Sequence, residues 1–457
     1  MDRIVEAIVR MLCALGGCAR VLPGVAYARW RPGQPLKVLL AGYNGARNTG
    51  SDVRVAALAE QLHDRFGEAV EISVMSLDAA GTAPYFPANV RQIPFGTLFF
   101  WKLFKACSEH HVVVLCEGST LKSLFANALS LYNCEAAGVM RAQGKPCIAY
   151  GAEVGAMDAF LARAARDLCS DVRFCVRSEG SLRALRELGL DGVRGTDTAW
   201  TFESAPGRER AVELPRAGGW DGVTPLLGIA PVNPYCWPVR PSLARLARSA
   251  VTGDWSQRYG AWYYFSASRE RERKFQAYLE ALAGACATLA AERGLQPVIV
   301  GMERLDAEAC ERLRGLMGGA VPMVLSRDED GFAIAEVLRM LRVLATSRYH
   351  AQVLASTALV PAVAVSMDER LDNLAEELGL DAGLLLHVDE ADLAPRLLLA
   401  LDWALDETPA IQGALRVGVD SCRRRLDGMG AWLAGEFTRF EGFAPQGSSF
   451  NSDTHRR

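Results

Sequence analysis

The sequence of 457 residues lacks both an excess of either charge and a long hydrophobic run. Lys and Arg number 50 and Asp and Glu number 53, so the formal net charge is −3. This balance argues against a protein that binds nucleic acid or a membrane through its overall charge, and we expect no nucleic-acid partner. The apolar segment Met11–Ala19 is too short to cross a bilayer, and Asp2 and Glu6 are atypical of a signal peptide.

Spacings typical of metal sites and disulfide frameworks are also absent from the sequence. The 12 cysteines include no Cys-x-x-Cys pair, and the six histidines show no ligand spacing. Cys116, Cys147 and Cys175 lie in apolar runs, which indicates buried, reduced thiols. We therefore predict a cytoplasmic protein without a structural metal.

Residues 1–36 are predicted to form an N-terminal helical extension. Residues 1–16 have the pattern of an amphipathic helix, which would dock on the protein by its apolar face. Peripheral association with a membrane surface is the alternative use of such a face.

From Lys37 onward, short apolar runs alternate with helical segments, which is typical of parallel α/β units. A first series occupies residues 37–205 and a second occupies residues 225–400. The predicted fold class is therefore α/β, with two doubly wound, Rossmann-like domains facing a cleft. Ligands of such sheets bind beyond the carboxyl ends of the strands, so polar residues at those ends are the functional candidates.

The remaining segments connect or follow the two domains. Residues 205–224 are polar and rich in Gly and Pro, which indicates a linker. Residues 401–443 are predicted to be C-terminal helices that lie across both domains. The polar residues 444–457 are predicted to be a disordered tail.

The first strand leads into a glycine-rich loop, Gly42–Asp52, that opens a helix. Its three glycines permit close backbone approach, and the helix N-terminus offers unpaired N–H groups to an anion. The loop fits neither the dinucleotide-binding pattern nor the P-loop pattern, so it does not support a nucleotide site. A structural turn capped by Ser51 or Asp52 is the alternative interpretation.

Charged residues follow the later strands of the first series. Glu117 and Glu153 each stand beside a glycine turn, where a carboxylate could act as a base or hold a sugar hydroxyl. Arg177 ends the next strand as an anion clamp or as a partner of Glu179, and Asp197 ends the last strand. Helix capping and ordinary ion pairing are the structural alternatives for these residues.

In the second series, the strand Val343–Thr346 is followed by Arg348 and His350 at the start of a helix. A guanidinium, an imidazole and a helix N-terminus converge at this junction, a combination that suits a phosphate or carboxylate ligand. We expect the junction to be functional rather than only structural.

Five stretches taken together resemble the motifs of the polysaccharide pyruvyl transferase family. That family typically shows G-Y-x-G-x-x-N-x-G-D-E, a Gly-Gly-Ser turn, G-Q-G-I-G-P, V-R-D-x-x-S, and R-L-H-A followed by G-V-P. The corresponding stretches occur here in the same order over about residues 37–380: Gly42–Asp52, Glu117–Ser119, Gly151–Gly155, Val176–Ser181, and Arg348–Ala351 with Val360-Pro361.

The resemblance implies a GT-B-like fold and transfer of a pyruvyl group from phosphoenolpyruvate to a sugar of a surface polysaccharide or its precursor, forming a ketal. The expected partners are phosphoenolpyruvate and a glycan or lipid-linked sugar acceptor, with no additional cofactor. By matching position, Arg348 and His350 would hold the donor, and His350 would also be a candidate catalytic acid. Arg177 would be a second anion clamp.

The resemblance assigns further residues to the same cleft. Asp197 would be a catalytic acid or base, or an orienting group. Substrate-lining roles fall to Asn44, Asn48 and Glu153.

The sequence departs from the family pattern at several positions. Ser51-Asp52 replaces Asp-Glu, Glu117 replaces Gly, Glu153 replaces Gln and Tyr349 replaces Leu. The segment Trp255–Ser268 is unusually aromatic. It could stack a sugar or a lipid-linked acceptor, or it could form the packed core of an edge strand.

Two other functions stay open at this level. A GT-B glycosyltransferase that uses a nucleotide sugar would need a base-stacking and ribose-binding site, for which Met302–Arg304 is a candidate. A catalytically inactive scaffold for glycan biosynthesis is the second alternative. The altered loops favour a scaffold, whereas the joint retention of the charged strand-end residues argues against one.

Overall fold

The computed structural model describes residues 2–255, 257–260 and 262–443. The predicted tail, 444–457, lies outside the described residues. The first half of the chain contains, in order, α1 (Asp2–Gly16), β1 (Leu36–Ala41), α2 (Thr49–Phe66), β2 (Val70–Ser76), α3 (Ala79–Thr82), β3 (Arg91–Pro94), α4 (Phe99–Glu109), β4 (Val112–Leu115), α5 (Asn127–Ala142), β5 (Cys147–Ala152), α6 (Ala159–Leu168), β6 (Arg173–Val176), α7 (Glu179–Glu187) and β7 (Gly192–Arg194).

The second half follows the same alternation and adds a small antiparallel sheet. Its elements are α8 (Arg208–Ala217), β8 (Leu226–Ala230), β9 (Arg240–Pro241), α9 (Leu243–Thr252), β10 (Arg258–Gly260), β11 (Tyr263–Tyr264), α10 (Arg269–Arg293), β12 (Gln296–Gly301), α11 (Ala307–Leu316), β13 (Met323–Leu325), α12 (Gly331–Arg339), β14 (Val343–Thr346), α13 (Tyr349–Ser356), β15 (Ala362–Ser366), α14 (Glu369–Leu378), β16 (Leu385–His387), α15 (Leu393–Asp406) and α16 (Thr408–Phe437).

Two parallel sheets organise these elements. Within the described residues the first sheet has the strand order β3-β2-β1-β4-β5-β6-β7, and the second has the order β13-β12-β8-β14-β15-β16. In the first sheet Val38 pairs with Ile72 on one side and with Val112 on the other. Every residue of β4, VVVL, is buried, as expected of a parallel strand covered on both faces. The order reverses beside the first strand of each sheet, which opens a crevice there.

The long helix α16 joins the two halves. Its first part places Leu415 and Val419 in the core of the second sheet. Its last part places Leu433 and Phe437 against the first sheet. One helix thus contributes to both hydrophobic cores, which ties the relative position of the two sheets to a single rigid element.

The N-terminal helix α1 lies on α5. Val5, Val9 and Leu12 are buried in this contact, at the i, i+4, i+7 spacing of one helix face. Gly16 lies so close to Val139 and Ala142 of α5 that a larger side chain would crowd them. Ile4 and Met11, on other positions of α1, are exposed.

The structure corrects the interpretation of one segment and decides between the two interpretations of another. The presumed linker 205–224 contains α8, whose Ala211 and Pro215 are buried and whose charged residues are exposed, so a composition rich in charge hid a packed helix. In the aromatic segment, Tyr264 is buried and Tyr259 and Phe265 pack around Trp237, so core packing accounts for these side chains. Among the described residues, no helix combines the length and the apolar character needed to cross a membrane.

Candidate active site between the two sheets

The loop 42–52 after β1 forms part of the contact between the two halves. The Thr49 amide donates a hydrogen bond to the Met302 carbonyl at 2.8 Å, and the Arg304 amide donates to the Arg47 carbonyl at 2.9 Å. The Tyr43 hydroxyl lies 3.1 Å from that of Tyr259. The carboxyl ends of both sheets therefore meet across this loop, with the strand-end side chains enclosed between them.

Asp197 is the centre of a fully buried charged cluster at these strand ends. Its Oδ1 accepts a hydrogen bond from Arg54 Nε at 3.1 Å, and its Oδ2 accepts one from Arg177 Nη1 at 3.1 Å. His350 Nε2, which comes from the other half, lies 3.5 Å from the same Oδ2. Asp197 also accepts from the Ala199 amide at 3.0 Å, capping a short 3₁₀ turn that fixes its carboxylate.

The electrostatics of the cluster assign its protonation states. Burial alone raises the pKa of Asp197, but the neighbouring positive charges of Arg54 and Arg177 outweigh it and hold that pKa well below its usual range. Burial lowers the pKa of His350 to about 4, against the opposing pull of Asp197. Near neutral pH the imidazole is therefore uncharged and the Asp197 carboxylate is ionised.

From Arg177 the charged contacts continue as a chain. Arg177 Nη2 donates to Glu153 Oε2, and its guanidinium carbon lies 4.1 Å from the centre of the Tyr349 ring. Lys122 Nζ lies 3.0 Å from Glu153 Oε1 and 3.2 Å from Asp368 Oδ2. Lys122 thereby bridges the two halves. We refer to the following residues as the buried ion chain: Arg54, Asp197, Arg177, Glu153, Lys122 and Asp368.

The formal charges of the buried ion chain cancel, because it contains three basic and three acidic side chains. Removing any one partner would leave an uncompensated charge in a low-dielectric environment, which is costly.

Arg348 belongs to a second charged group. Its Nε lies 3.1 Å from Asp306 Oδ1 and its Nη1 lies 3.0 Å from Glu303 Oε2. Asp306 in turn accepts the amide of Glu303 at 2.9 Å and that of Met302 at 3.1 Å. Among the described residues, the ion pairs of Arg348 are with this second-domain pair and not with the buried ion chain.

The amide side chains of the first loop have different surroundings. Asn48 Oδ1 accepts the Ser51 amide at 3.2 Å and caps α2, the structural role that its position allows. Asn44 is fully buried, and neither of its amide atoms has a hydrogen-bond partner among the described residues. Glu117 accepts the amides of Tyr43 and Ser119 at 2.8 and 3.2 Å, which holds the loop to the end of β4.

A narrow recess of about 10 Å³, room for about one water molecule, adjoins the buried ion chain. Its walls come from both halves of the chain, and they include Glu153, Arg177 and Arg370. The recess is the position from which a small anion could reach Arg177. Within the described residues there is no group of three or more His, Cys, Asp or Glu side chains arranged to hold a metal ion.

Of the residues predicted from sequence, Asp197, Arg177, Glu153 and His350 are brought together. Arg348 pairs instead with Asp306 and Glu303, and Asn48 caps α2. Asn44 makes no side-chain hydrogen bond within the part of the chain that the structure describes. Sequence analysis missed Arg54 and Lys122. Arg54 could have been found, because it interrupts the otherwise small and apolar run from Val53 to Ala59. Lys122 carries no comparable signal, since it precedes α5 in an irregular segment.

Solved structures with the same architecture have very different sequences. UDP-GlcNAc 2-epimerase from Neisseria meningitidis bound to UDP-GlcNAc aligns with a TM-score of 0.54 at 9% identity, over 88% of this chain and 100% of that one. S. aureus MnaA in a co-structure with UDP gives 0.55 at 10% identity, over 91% and 99%. A glycosyltransferase from Rickettsia africae gives 0.52 at 11% identity, over 89% and 99%.

At these identities the similarity is one of fold, and it confirms the predicted GT-B-like arrangement of two α/β domains. No curated protein matches the chain in sequence. The family model for polysaccharide pyruvyl transferases matches residues 48–369, which is more than half of the chain and includes every member of the buried ion chain. The resemblance seen in the motifs is thus confirmed, and the chain belongs to the polysaccharide pyruvyl transferase family.

Proposed function

We propose that the chain transfers a pyruvyl group from phosphoenolpyruvate to two hydroxyl groups of a sugar in a surface polysaccharide or its precursor, forming a cyclic ketal. The observation that carries this proposal is the convergence of Arg177, Arg54 and His350 on Asp197 at the strand ends, inside the region matched by the family. An enclosed site that holds two guanidinium groups and a neutral imidazole suits an anionic donor that reacts with hydroxyl groups.

The proposed reaction has a simple balance. Two C–O bonds form between the sugar oxygens and the central carbon of phosphoenolpyruvate, and the bond from that carbon to the phosphate oxygen breaks. One hydroxyl proton goes to the methylene carbon, which becomes a methyl group, and the other goes to the departing phosphate. The site therefore has to bind a phosphate and a carboxylate, accept a hydroxyl proton and deliver a proton to carbon.

Arg177 is the proposed donor-binding residue. It is a guanidinium whose planar fork matches a phosphate or a carboxylate, and it lines the recess between the domains. Its guanidinium is already paired with both Glu153 and Asp197. The donor therefore competes with Glu153, the residue that replaces the family's Gln.

His350 is the proposed proton acceptor for a sugar hydroxyl. Its lowered pKa keeps the ring neutral near pH 7, so it fits the role of a base better than that of an acid in the resting protein. Asp197 is ionised and is held by two arginines, so we assign it the orienting role rather than the acid role.

Access to these groups requires movement of the two domains. Arg54, Arg177 and Asp197 are all buried, and Lys122 links Glu153 of the first domain to Asp368 of the second. We propose that the described conformation is the closed one and that the donor enters when the contact between Lys122 and Asp368 opens.

Calorimetric titration with phosphoenolpyruvate tests the proposal, with UDP- and GDP-sugars titrated in parallel. Saturable donor binding that is lost in Arg177→Ala, but kept in the surface control Arg210→Ala, supports it. His350→Gln changes the proposed proton acceptor, so it should still bind the donor and should lose phosphate release. Arg210 pairs with Glu329 on the exposed surface, so the control also removes an ion pair. Binding of a nucleotide sugar in place of the donor would move the protein to the glycosyltransferases. No phosphate release from donor with a pool of glycan acceptors present would contradict the proposal.

A further inference from the structure

Helix α9 directs its apolar face toward solvent. At 100° per residue, Leu243, Ala244, Ala247, Ala250 and Val251 share one side of the helix, and all five are exposed, Leu243 by 58% and Val251 by 87%. The opposite side is the one that packs on the protein, through Ser249. A surface helix of a globular protein normally has the reverse orientation.

Two exposed tryptophans flank this face. Trp255, 40% exposed, follows the end of α9, and Trp262, 38% exposed, lies at its beginning, where the Trp262 carbonyl accepts the Ser242 amide at 2.9 Å. The Arg258 guanidinium lies 4.8 Å from the centre of the Trp255 ring. Tryptophan paired with arginine beside aliphatic side chains is the composition of a membrane–water interface.

The segment that carries this face has an excess of positive charge. Residues 231–268 contain four arginines and one acidic residue, Asp254, so their net charge is +3 while the remainder of the chain carries −6. Arg248 is exposed on α9 next to the apolar face. Cations at the rim of an apolar surface complement the negative potential of anionic lipids, and each one near the surface strengthens binding.

The face stands on a rigid base. Strands β9, β11 and β10 form an antiparallel sheet, in which Tyr264 is buried below Arg245. Trp237, buried under this sheet, packs edge-on against Phe125 of the first domain at 4.9 Å. The arrangement of α9 and its neighbours is therefore fixed to the body of the protein rather than borne on a free loop.

We infer that the exposed face of α9, with Trp255, Trp262 and Arg248, is a docking surface for bilayers that carry anionic phospholipids. The occupant follows from the charge: an apolar face alone would serve any partner, whereas the arginine rim of an otherwise acidic protein selects a negatively charged surface. The inference goes beyond the proposed reaction and does not depend on it, because docking requires neither donor nor acceptor.

Vesicle sedimentation of the full chain tests the inference, using phosphatidylcholine vesicles with and without phosphatidylglycerol. We expect binding to the mixed vesicles only, weakened by salt. The double variant Leu243→Ser/Val251→Ser is expected to bind at least about tenfold less well. Val223→Ser/Val417→Ser removes two equally exposed apolar side chains elsewhere and should bind like wild type. Arg248→Gln should weaken binding more than Arg208→Gln does.

All the altered side chains are exposed, so each variant is expected to fold. An unchanged temperature of thermal unfolding for each variant would establish this. Absence of binding to the mixed vesicles, or equal losses in the two double variants, overturns the inference. A lipid-independent dimer seen by analytical ultracentrifugation, and abolished by Leu243→Ser/Val251→Ser, would overturn it in favour of a second copy of the chain. Donor titration of the double variant separates this result from any failure of the proposed reaction.

Discussion

The His350 ring occupies the space in which Gly50 would carry a side chain. A Cβ built on Gly50 would overlap the ring at Nδ1 and Cγ. This contact packs the first turn of α13 against the first turn of α2 across the domain boundary, and it leaves Nε2 on the side of Asp197, 3.5 Å from Oδ2. The glycine is therefore required by a close approach between the two domains rather than by an unusual backbone angle.

We expect Gly50→Ala to disturb the site selectively. The added methyl group has to displace the imidazole, and such overpacking costs about 1–3 kcal/mol. Loss of donor turnover together with this lower free energy of unfolding, measured by urea titration, would confirm the role of the contact. The control is Gly284→Ala on α10, where a Cβ meets no neighbouring atom, and which should stabilise the protein by about 0.5–1 kcal/mol. Full activity in Gly50→Ala would contradict the assignment of His350.

Glu153→Gln is expected to increase the affinity for phosphoenolpyruvate. The change removes one negative charge from the balanced buried ion chain and restores the residue that the family pattern has at this position. Arg177 then has one anionic partner instead of two, so we expect about tenfold tighter binding, worth about 1.4 kcal/mol. Calorimetry on the variant and on the exposed control Glu187→Gln measures the difference. Weaker binding in Glu153→Gln would mean that the carboxylate contacts the substrate instead of competing with it.

The fold and half of the candidate site could be predicted from the sequence because they depend on local features. Alternating buried runs such as β4 and a polar residue at a strand end are local features, so Arg177, Asp197 and His350 could be located without knowing the packing. The pairing of Arg348 with Asp306 joins residues 42 positions apart and depends on how β12 and β14 flank β8. Such tertiary contacts leave no periodic trace in a single sequence.

Asp368→Asn should loosen the contact between the two domains. Asp368 Oδ1 accepts the Arg370 amide at 3.0 Å, a cap that asparagine can reproduce, but the ion pairs of the carboxylate with Lys122 and with the Arg370 guanidinium are lost. Glu369, 3.0 Å from Lys122 Nζ, is then the acidic partner of Lys122 that remains in the second half. We expect a larger radius of gyration in small-angle scattering and faster association of the donor, since the closed state is less favoured. Asp389→Asn, which alters an exposed pair with Lys274, is the matched control. Identical scattering and association rates in Asp368→Asn and wild type would argue that the ion pair does not control access.

Asp52→Asn is expected to stabilise the protein in a pH-dependent way. Asp52 is buried at the start of α2, where its Oδ1 accepts the Gly45 amide at 2.8 Å. Burial raises its pKa from 3.8 to about 7, an effect that the Gly45 hydrogen bond and the charge of Arg47 only partly oppose. Asparagine keeps the hydrogen bond and has no charge to bury.

The direction of the effect follows from proton binding. Between pH 4 and pH 7 the folded protein binds a proton at Asp52 that the unfolded chain has already released, so Asp52 lowers the stability of wild type as the pH rises. The advantage of Asp52→Asn should therefore be absent near pH 4, grow across this interval by up to about 4 kcal/mol in total, and stay constant above pH 7. Urea unfolding of both proteins across this range measures it, with Asp64→Asn, an exposed aspartate of the same helix, as the control. A difference that does not change with pH would show that Asp52 remains ionised in the folded protein, held by a stronger partner than the Gly45 amide.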